Sequence, residues 1–110
     1  MSLTGTLDVT ASSDSVTFTF TVTNDGDDPV DLSFSDAQTH DVTVLDGGNE
    51  VWRWGEGRMF AQMLQSETLD PGESVTYEVE WSDPSPGDYE AAATLTAHNQ
   101  NVEAREQFSI

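Results

Sequence analysis

The side chains best suited to molecular recognition in this chain fall within one short segment, residues 50–64. It holds two of the three Trp, two of the three Arg and two of the three Met of the chain. On a β-strand, Trp52 and Trp54 would lie on the same face, because side chains alternate between faces along a strand. After the Gly-rich residues 55–57, a set of large apolar side chains follows: Met59, Phe60, Met63 and Leu64. Such side chains either close a core or offer an apolar anchor to a partner.

The two tryptophans have two readings. In a core, each ring would bury about 150–250 Å²; exposed and coplanar, the pair would form a platform for a sugar or a peptide. We expect at least one of them in the core. We expect Arg53 to form ion pairs or to stack on a ring, because carboxylates and indoles surround it in the sequence. Residues 58–65 could form a single helical turn.

The remaining polar motifs give little support for catalysis or metal binding. Residues 24–28 are rich in carboxylates but lack the spacing of a calcium-binding EF-hand loop, so we interpret them as a solvated turn. His40 and His98 are the only histidines and have no metal-ligand spacing; we expect His40 and Asp41 to form a local hydrogen-bonded pair. The chain has no Cys, no nucleophile elbow and no phosphate-binding loop. We therefore expect no enzyme activity, no cofactor and no bound metal.

The charge balance is strongly acidic. The chain carries 21 Asp and Glu against three Arg, with a net charge of -18, and the acids are scattered from Asp8 to Glu106. The Debye length falls from ~10 Å at 0.1 M salt to ~3 Å at 1 M, so molar salt removes most of the repulsion between neighbouring carboxylates. This surface is typical of a halophile with a salt-rich cytoplasm. Nucleic acid and anionic membranes are unsuitable partners, because both need clustered Lys or Arg.

The length of 110 residues predicts a single domain over residues 1–110. A chain of this size buries about 60–70% of the surface that its unfolded form exposes, which is enough for one core. The N-terminus shows no signal peptide, and no apolar run approaches the ~20 residues of a membrane-spanning helix. We therefore expect a cytoplasmic protein.

A period of two dominates the hydrophobic pattern. The clearest stretch alternates threonines with Val16, Phe18, Phe20 and Val22. A second stretch alternates polar residues with Val75, Tyr77, Val79 and Trp81. Shorter versions cover residues 3–11, 30–34, 42–44, 89–97 and 102–110, and turn sequences fall at 24–29, 46–49, 70–73 and 83–88. Short strands separated by such turns predict an all-β fold, an immunoglobulin-like antiparallel β-sandwich of about seven to nine strands.

Several motifs in this order resemble one known family. They are Val-Trp-Arg-Trp at 51–54, Met-Phe-Ala-Gln at 59–62, Asp-Pro-Gly-Glu at 70–73, the strand 77–81 and Gly-Asp-Tyr at 87–89. The pattern is similar to that of the intracellular proteinase inhibitors of the BsuPI type and extends over about residues 16–97. Gly55 departs from it, because a Ser is expected there, and so does the absence of Lys. The resemblance implies an immunoglobulin-like sandwich.

The resemblance further implies inhibition of a subtilisin-like serine protease through protein–protein binding. Such proteases often accept a large apolar side chain in their first specificity pocket. We expect the partner-binding residues to be Arg58, Met59, Phe60, Gln62, Met63 and Leu64. We expect the loop-bracing residues to be Trp52, Arg53 and Trp54. The alternative is a non-inhibitory immunoglobulin-like module that binds another protein or has a structural role. We expect a monomer or, at most, a weak homodimer.

Overall fold

The computed structural model describes residues 3–34, 38–55, 64–97, 100 and 102–110. These residues form nine β-strands and no helix. The strands are β1 (Leu3–Ala11), β2 (Ser15–Asn24), β3 (Val30–Phe34), β4 (His40–Asp46), β5 (Asn49–Arg53), β6 (Gln65–Leu69), β7 (Ser74–Ser82), β8 (Asp88–Leu95) and β9 (Glu103–Ser109). No helix in this part of the chain is therefore long and apolar enough to cross a membrane.

The strands pair in antiparallel fashion to form three sheets. Their orders are β1-β2-β7, β3-β6 and β5-β4-β8-β9. The three-stranded and four-stranded sheets pack face to face, because Phe18 of β2 lies 6.1 Å from the ring of Trp52 in β5 and 5.7 Å from that of Phe108 in β9. The expected antiparallel β-sandwich is confirmed, with the predicted number of strands among the described residues.

The core follows the period-two pattern. Along β2 every second residue is completely buried: the four predicted ones, Val16, Phe18, Phe20 and Val22, and also Asn24 at the end of the strand. On the opposing sheet, Val42 and Val44 of β4 and Ala91 and Ala93 of β8 are also completely buried. Threonines occupy the alternate positions of β2. Apolar alternation alone therefore specifies which face of this central strand is inside.

Three features of the structure at residues 50–69 differ from expectation or were not expected. Residues 65–69 form β6, which the sequence pattern does not reveal, since only Leu69 of this strand is buried. β6 pairs with β3 in the register Val30↔Leu69 and Phe34↔Gln65. The single helical turn expected over 58–65 falls mostly outside the described residues, and Gln65 itself begins a strand. The aromatic strand β5 ends at Arg53, so Trp54 lies in the turn that follows.

Candidate functional site

Within residues 50–64, the structure describes the residues on either side of 56–63. Trp52, Arg53, Trp54 and Gly55 lie on one side, and Leu64 lies on the other. The expected partner-binding residues Arg58, Met59, Phe60, Gln62 and Met63 fall outside the described residues. Leu64 is 85% exposed, which makes it, with Val51 at 50%, one of two large apolar residues open to solvent among those described. We refer to residues 52–55 and Leu64, on either side of residues 56–63, as the base of the segment.

Trp52 packs into the sandwich. Its indole stacks on Phe18 with a 21° angle between planes, and on Trp81 at 5.7 Å and 23°. At least one tryptophan was expected in the core, and Trp52 is partly buried against it. Since its neighbours are aromatic residues of the facing sheet, Trp52 holds β5 against β2 and β7. This ring is not an open platform for a sugar.

Trp54 completes a stack of three rings between the two sheets. The imidazole of His40 lies 4.5 Å from the Trp54 ring, at 15°, and 4.4 Å from the Tyr77 ring, at 18°. The backbone N–H of Trp54 donates to the carbonyl of Val42, at 2.9 Å, so the turn stays attached to β4 beyond the end of β5. One face of the indole is thus covered. Trp52 and Trp54 therefore do not form the exposed, coplanar pair of rings that carbohydrate binding would need.

The ring stack holds two groups with displaced pKa values. Burial lowers the pKa of His40 below 6.5, although the charge of Asp41 acts in the opposite direction. Burial, helped by the charge of Glu67, raises the pKa of Tyr77 to about 12. Both residues are therefore neutral near pH 7. The Nε2 of His40 is buried and has no hydrogen-bond partner among the described residues, which is an unusual condition for a buried polar atom.

Asp41 does not pair with His40, so the predicted hydrogen bond between these neighbours is wrong. The Nδ1 of His40 lies 2.9 Å from the hydroxyl of Thr39 instead. The Oδ1 of Asp41 accepts the backbone N–H of Val42 and that of Gly55, both at 2.9 Å. The side chain points to the backbone because β4 and the turn after β5 bring two N–H donors together there. Asp41 therefore joins the start of β4 to the end of the aromatic segment.

Arg53 reaches the same carboxylate from the other side. Its Nε lies 3.7 Å from Asp41 Oδ2, and its Nη2 lies 3.0 Å from Glu50 Oε1. Its Nε also donates to the hydroxyl of Thr43, at 3.3 Å. The ion pairing expected for Arg53 is present. Because its side chain is 47% exposed, these pairs add little stability, on the order of 0–1 kcal/mol.

A shallow cleft of about 360 Å³ opens beside Gly55, between Gln38, Asp41, Glu50 and Arg53. The Nε2 of Gln38 donates to the carbonyl of His40 at 3.1 Å. The carbonyl of Gln38 accepts the hydroxyl of Thr96 at 2.6 Å. Gln38 thus joins β4 to the chain after β8. These contacts surround Gly55, the last described residue before residues 56–63.

The sequence reasoning assigned no role at this base to several residues: Gln38, Asp41, Tyr77 and Thr96. Asp41 and Gln38 each form a hydrogen bond with a residue far along the chain. Their partners are 14 and 58 positions away along the chain. No spacing rule within one strand predicts such contacts. Among the described residues, no group of three or more His, Asp or Glu side chains is placed to hold a metal ion.

Comparison with solved structures gives the fold class of the chain. The CARDB domain from Pyrococcus furiosus is similar over 98% of this chain and 93% of the domain, with 19% identity and a TM-score of 0.55. Spo0M, a sporulation control protein from Bacillus subtilis, is similar over 100% of this chain but 49% of its own, with 13% identity and a TM-score of 0.56. At such identities the likeness concerns the fold alone. The protein is an immunoglobulin-like β-sandwich, as predicted.

The family is settled by sequence. The model of the BsuPI family, described as intracellular proteinase inhibitor, matches residues 3–100. The chain therefore belongs to this family, and the resemblance seen over residues 16–97 is confirmed and extended. No curated protein matches the chain significantly.

Proposed function

We propose that this protein inhibits a subtilisin-like serine protease inside the cell, by binding it rather than by any chemistry of its own. Membership of the intracellular proteinase inhibitor family supports a protease as the partner. The subtilisin-like serine protease class is what the resemblance to BsuPI-type inhibitors implies, and the large apolar side chains at 59–64 suit the specificity pocket of such a protease. On this view the chain is a cytoplasmic binding protein with no catalytic group, cofactor or metal.

One observation carries the proposal: the base of the recognition segment is held in place without a disulfide. The Trp54–His40–Tyr77 stack and the Asp41 hydrogen bonds fix the backbone up to Gly55. An inhibitor gains affinity when its contact segment is ordered before binding, because each side chain ordered on binding costs about 0.5–1.5 kcal/mol. Rigid flanks therefore suit an inhibitory loop. A purely structural plug would not require an exposed apolar flank such as Leu64.

We assign contact with the protease to Arg58, Met59, Phe60, Gln62, Met63 and Leu64. Their chemistry fits an enzyme that accepts large apolar side chains. Leu64 supports the assignment, because its side chain is 85% exposed. An isolated exposed leucine needs no explanation by itself, but this one follows directly on the segment whose other flank is braced. Trp52, Arg53 and Trp54 take the bracing role.

The test is an inhibition assay against a purified subtilisin-like protease in molar KCl. Met59→Ala and Phe60→Ala should each raise the inhibition constant at least ~10-fold, which corresponds to about 1.4 kcal/mol of binding energy. Both variants should melt close to the wild type. The matched control is Val51→Ala, which removes an exposed apolar side chain from β5.

Two outcomes contradict the assignment. If the Met59 and Phe60 variants unfold, the segment serves the core and the contact surface lies elsewhere. If a pull-down in molar salt retrieves no protease and the wild type inhibits none, the chain is a non-inhibitory protein-binding module of the same fold.

We further propose that the protein works in a salt-rich cytoplasm as a monomer or a weak homodimer. The net charge of -18 is the supporting observation. Because added salt screens carboxylate repulsion, the melting temperature should rise steeply as KCl increases from about 0.1 M to above 1 M. Glycerol or sucrose at matched osmolarity is the control, since neither changes the ionic strength. A melting temperature that does not respond to KCl would refute the halophilic origin.

A further inference from the structure

We propose that Asp41 is a positioning residue of the inhibitor: its carboxylate fixes the backbone at Gly55, from which the chain continues to the contact residues 58–64. This inference rests on the function proposed above and adds a residue to it. Asp41 need not touch the protease. It acts through the backbone of Gly55, which is the last described residue before the segment.

The contact joins two parts of the chain through one oxygen. Oδ1 of Asp41 accepts the N–H of Val42, in its own strand, and the N–H of Gly55, 14 residues later. Hydrogen bonds to an ionised acceptor are about twice as strong as neutral ones. The side chain of Asp41 is only 17% exposed, so water competes weakly for these bonds. The geometry is that of a clamp between β4 and the turn after β5.

Gly55 completes the clamp because it leaves room for it. A Cβ at this position would lie 2.8 Å from Gln38 Nε2 and 3.1 Å from both oxygens of Asp41. Gly55 is not among the described glycines with positive φ, so space rather than backbone conformation accounts for its use. A side chain at position 55 would push against the carboxylate.

The clamp also suits a salt-rich solvent. The ion pairs of Arg53 are exposed and are screened at molar salt, where the Debye length is ~3 Å. The hydrogen bonds of Asp41 are direct contacts with N–H groups at 2.9 Å and do not depend on long-range attraction. We therefore assign the bracing of Gly55 to these hydrogen bonds. The Arg53 contacts contribute less.

The experiment compares Asp41→Ala with Asp41→Asn, and the control is Asp88→Ala, which removes an exposed carboxylate that accepts the hydroxyl of Ser109 at the opposite end of β8. Three quantities are measured in molar KCl: the inhibition constant, the melting temperature and the hydrogen-exchange rate of the Gly55 amide. Asp41→Ala should weaken inhibition roughly 10-fold or more and speed exchange at Gly55. Asp41→Asn keeps an acceptor oxygen without its charge and should restore both in part. Asp88→Ala should match the wild type.

The outcomes are decisive in each direction. If Asp41→Ala speeds exchange at Gly55 but leaves the inhibition constant unchanged, the clamp exists and has no positioning role, which overturns the inference alone. If Asp41→Asn restores nothing relative to Asp41→Ala, an acceptor oxygen at this position does not hold Gly55, which also overturns it. If Asp41→Ala does not fold, Gly55→Ala provides the second perturbation and should weaken inhibition in the same direction. A wild type that inhibits no protease overturns the proposed function, while exchange at Gly55 still reports whether the clamp exists.

Discussion

Two regions of this molecule contain the same kind of side-chain to backbone hydrogen bonding but differ in their surroundings. At each, a polar side chain forms hydrogen bonds with backbone groups and joins chain segments far apart in sequence. Asn24, at the end of β2, is completely buried: its Oδ1 accepts Gly26 N–H at 2.9 Å, and its Nδ2 donates to the carbonyls of Asp28 and Leu69, both at 2.8 Å. Asp41, at the start of β4, is partly exposed and borders the recognition segment.

The difference lies in what surrounds the side chains of Asn24 and Asp41. At Asn24 the polar groups are satisfied, and the backbone adds bonds to Gly72 and Glu73, so two turns are pinned to the core. Beside Asp41, the buried Nε2 of His40 has no partner among the described residues. Structures satisfy local rules most completely where only stability is at stake and depart from them at functional sites. The contrast therefore assigns folding to the Asn24 region and is consistent with the recognition role that we propose near Asp41.

The largest expected effect tests the Asn24 side of this contrast. Asn24→Ala leaves the buried carbonyl of Leu69, the part-buried carbonyl of Asp28 and the N–H of Gly26 without their partner, and an unsatisfied buried group costs about 1–3 kcal/mol. We expect the free energy of unfolding to fall by about 3 kcal/mol or more. Urea titration in molar KCl measures this, because guanidinium chloride would itself change the ionic strength. The inhibition constant of the molecules that remain folded should not change.

The control for this prediction is Asn49→Ala, which truncates an exposed asparagine at the start of β5. It should change the free energy of unfolding by less than about 0.5 kcal/mol. If Asn24→Ala were equally mild, water would have replaced the amide. The turns at residues 24–29 and 70–73 would then hold themselves, and the contrast with Asp41 would lose its first half.

The sequence predicts the two regions unequally. β2 is predicted residue by residue, since every second side chain is buried against the facing sheet and the pattern has only one solution. β6 is not predicted, since it buries Leu69 alone and is held by pairing with β3. A strand with one buried residue carries no periodic signal.

Composition predicts that residues 50–64 form an unusual region, but it does not predict the contacts of that region. The aromatic and apolar side chains of residues 50–64 mark it as unusual in an acidic chain. The role of Trp52 in the core follows from its alternation with Arg53. The roles of Asp41 and Tyr77 do not, because each depends on a partner in another strand whose register the sequence does not reveal. The expected pairing of His40 with Asp41 fails for that reason: Gly55 arrives from a distant part of the chain and takes the oxygen.

A smaller effect tests the Asp41 side through the pH dependence of stability. His40 is faced by the rings of Trp54 and Tyr77, the hydroxyl of Thr39 and the charge of Asp41. Burial lowers its pKa below 6.5 in the folded protein, whereas the unfolded chain titrates at about 6.5. As the pH falls below about 6.5, the unfolded state therefore binds more protons than the folded one, and stability decreases. Above about pH 7.5 both forms are neutral, and this contribution no longer changes.

The measurement is the free energy of unfolding between about pH 7.5 and 5.5, a window above the ordinary titration of most carboxylates. The control is His40→Gln, which removes the titrating group, so its curve should be flatter than that of the wild type whatever its absolute stability. The NMR titration of the imidazole should give a pKa below 6.5. A value at or above 6.5, or equal slopes for the two proteins, would contradict the burial of a neutral ring. Because the ring lies directly beneath Trp54, a confirmed loss should be accompanied by faster exchange at Gly55, which would connect the stack to the clamp as parts of one braced base.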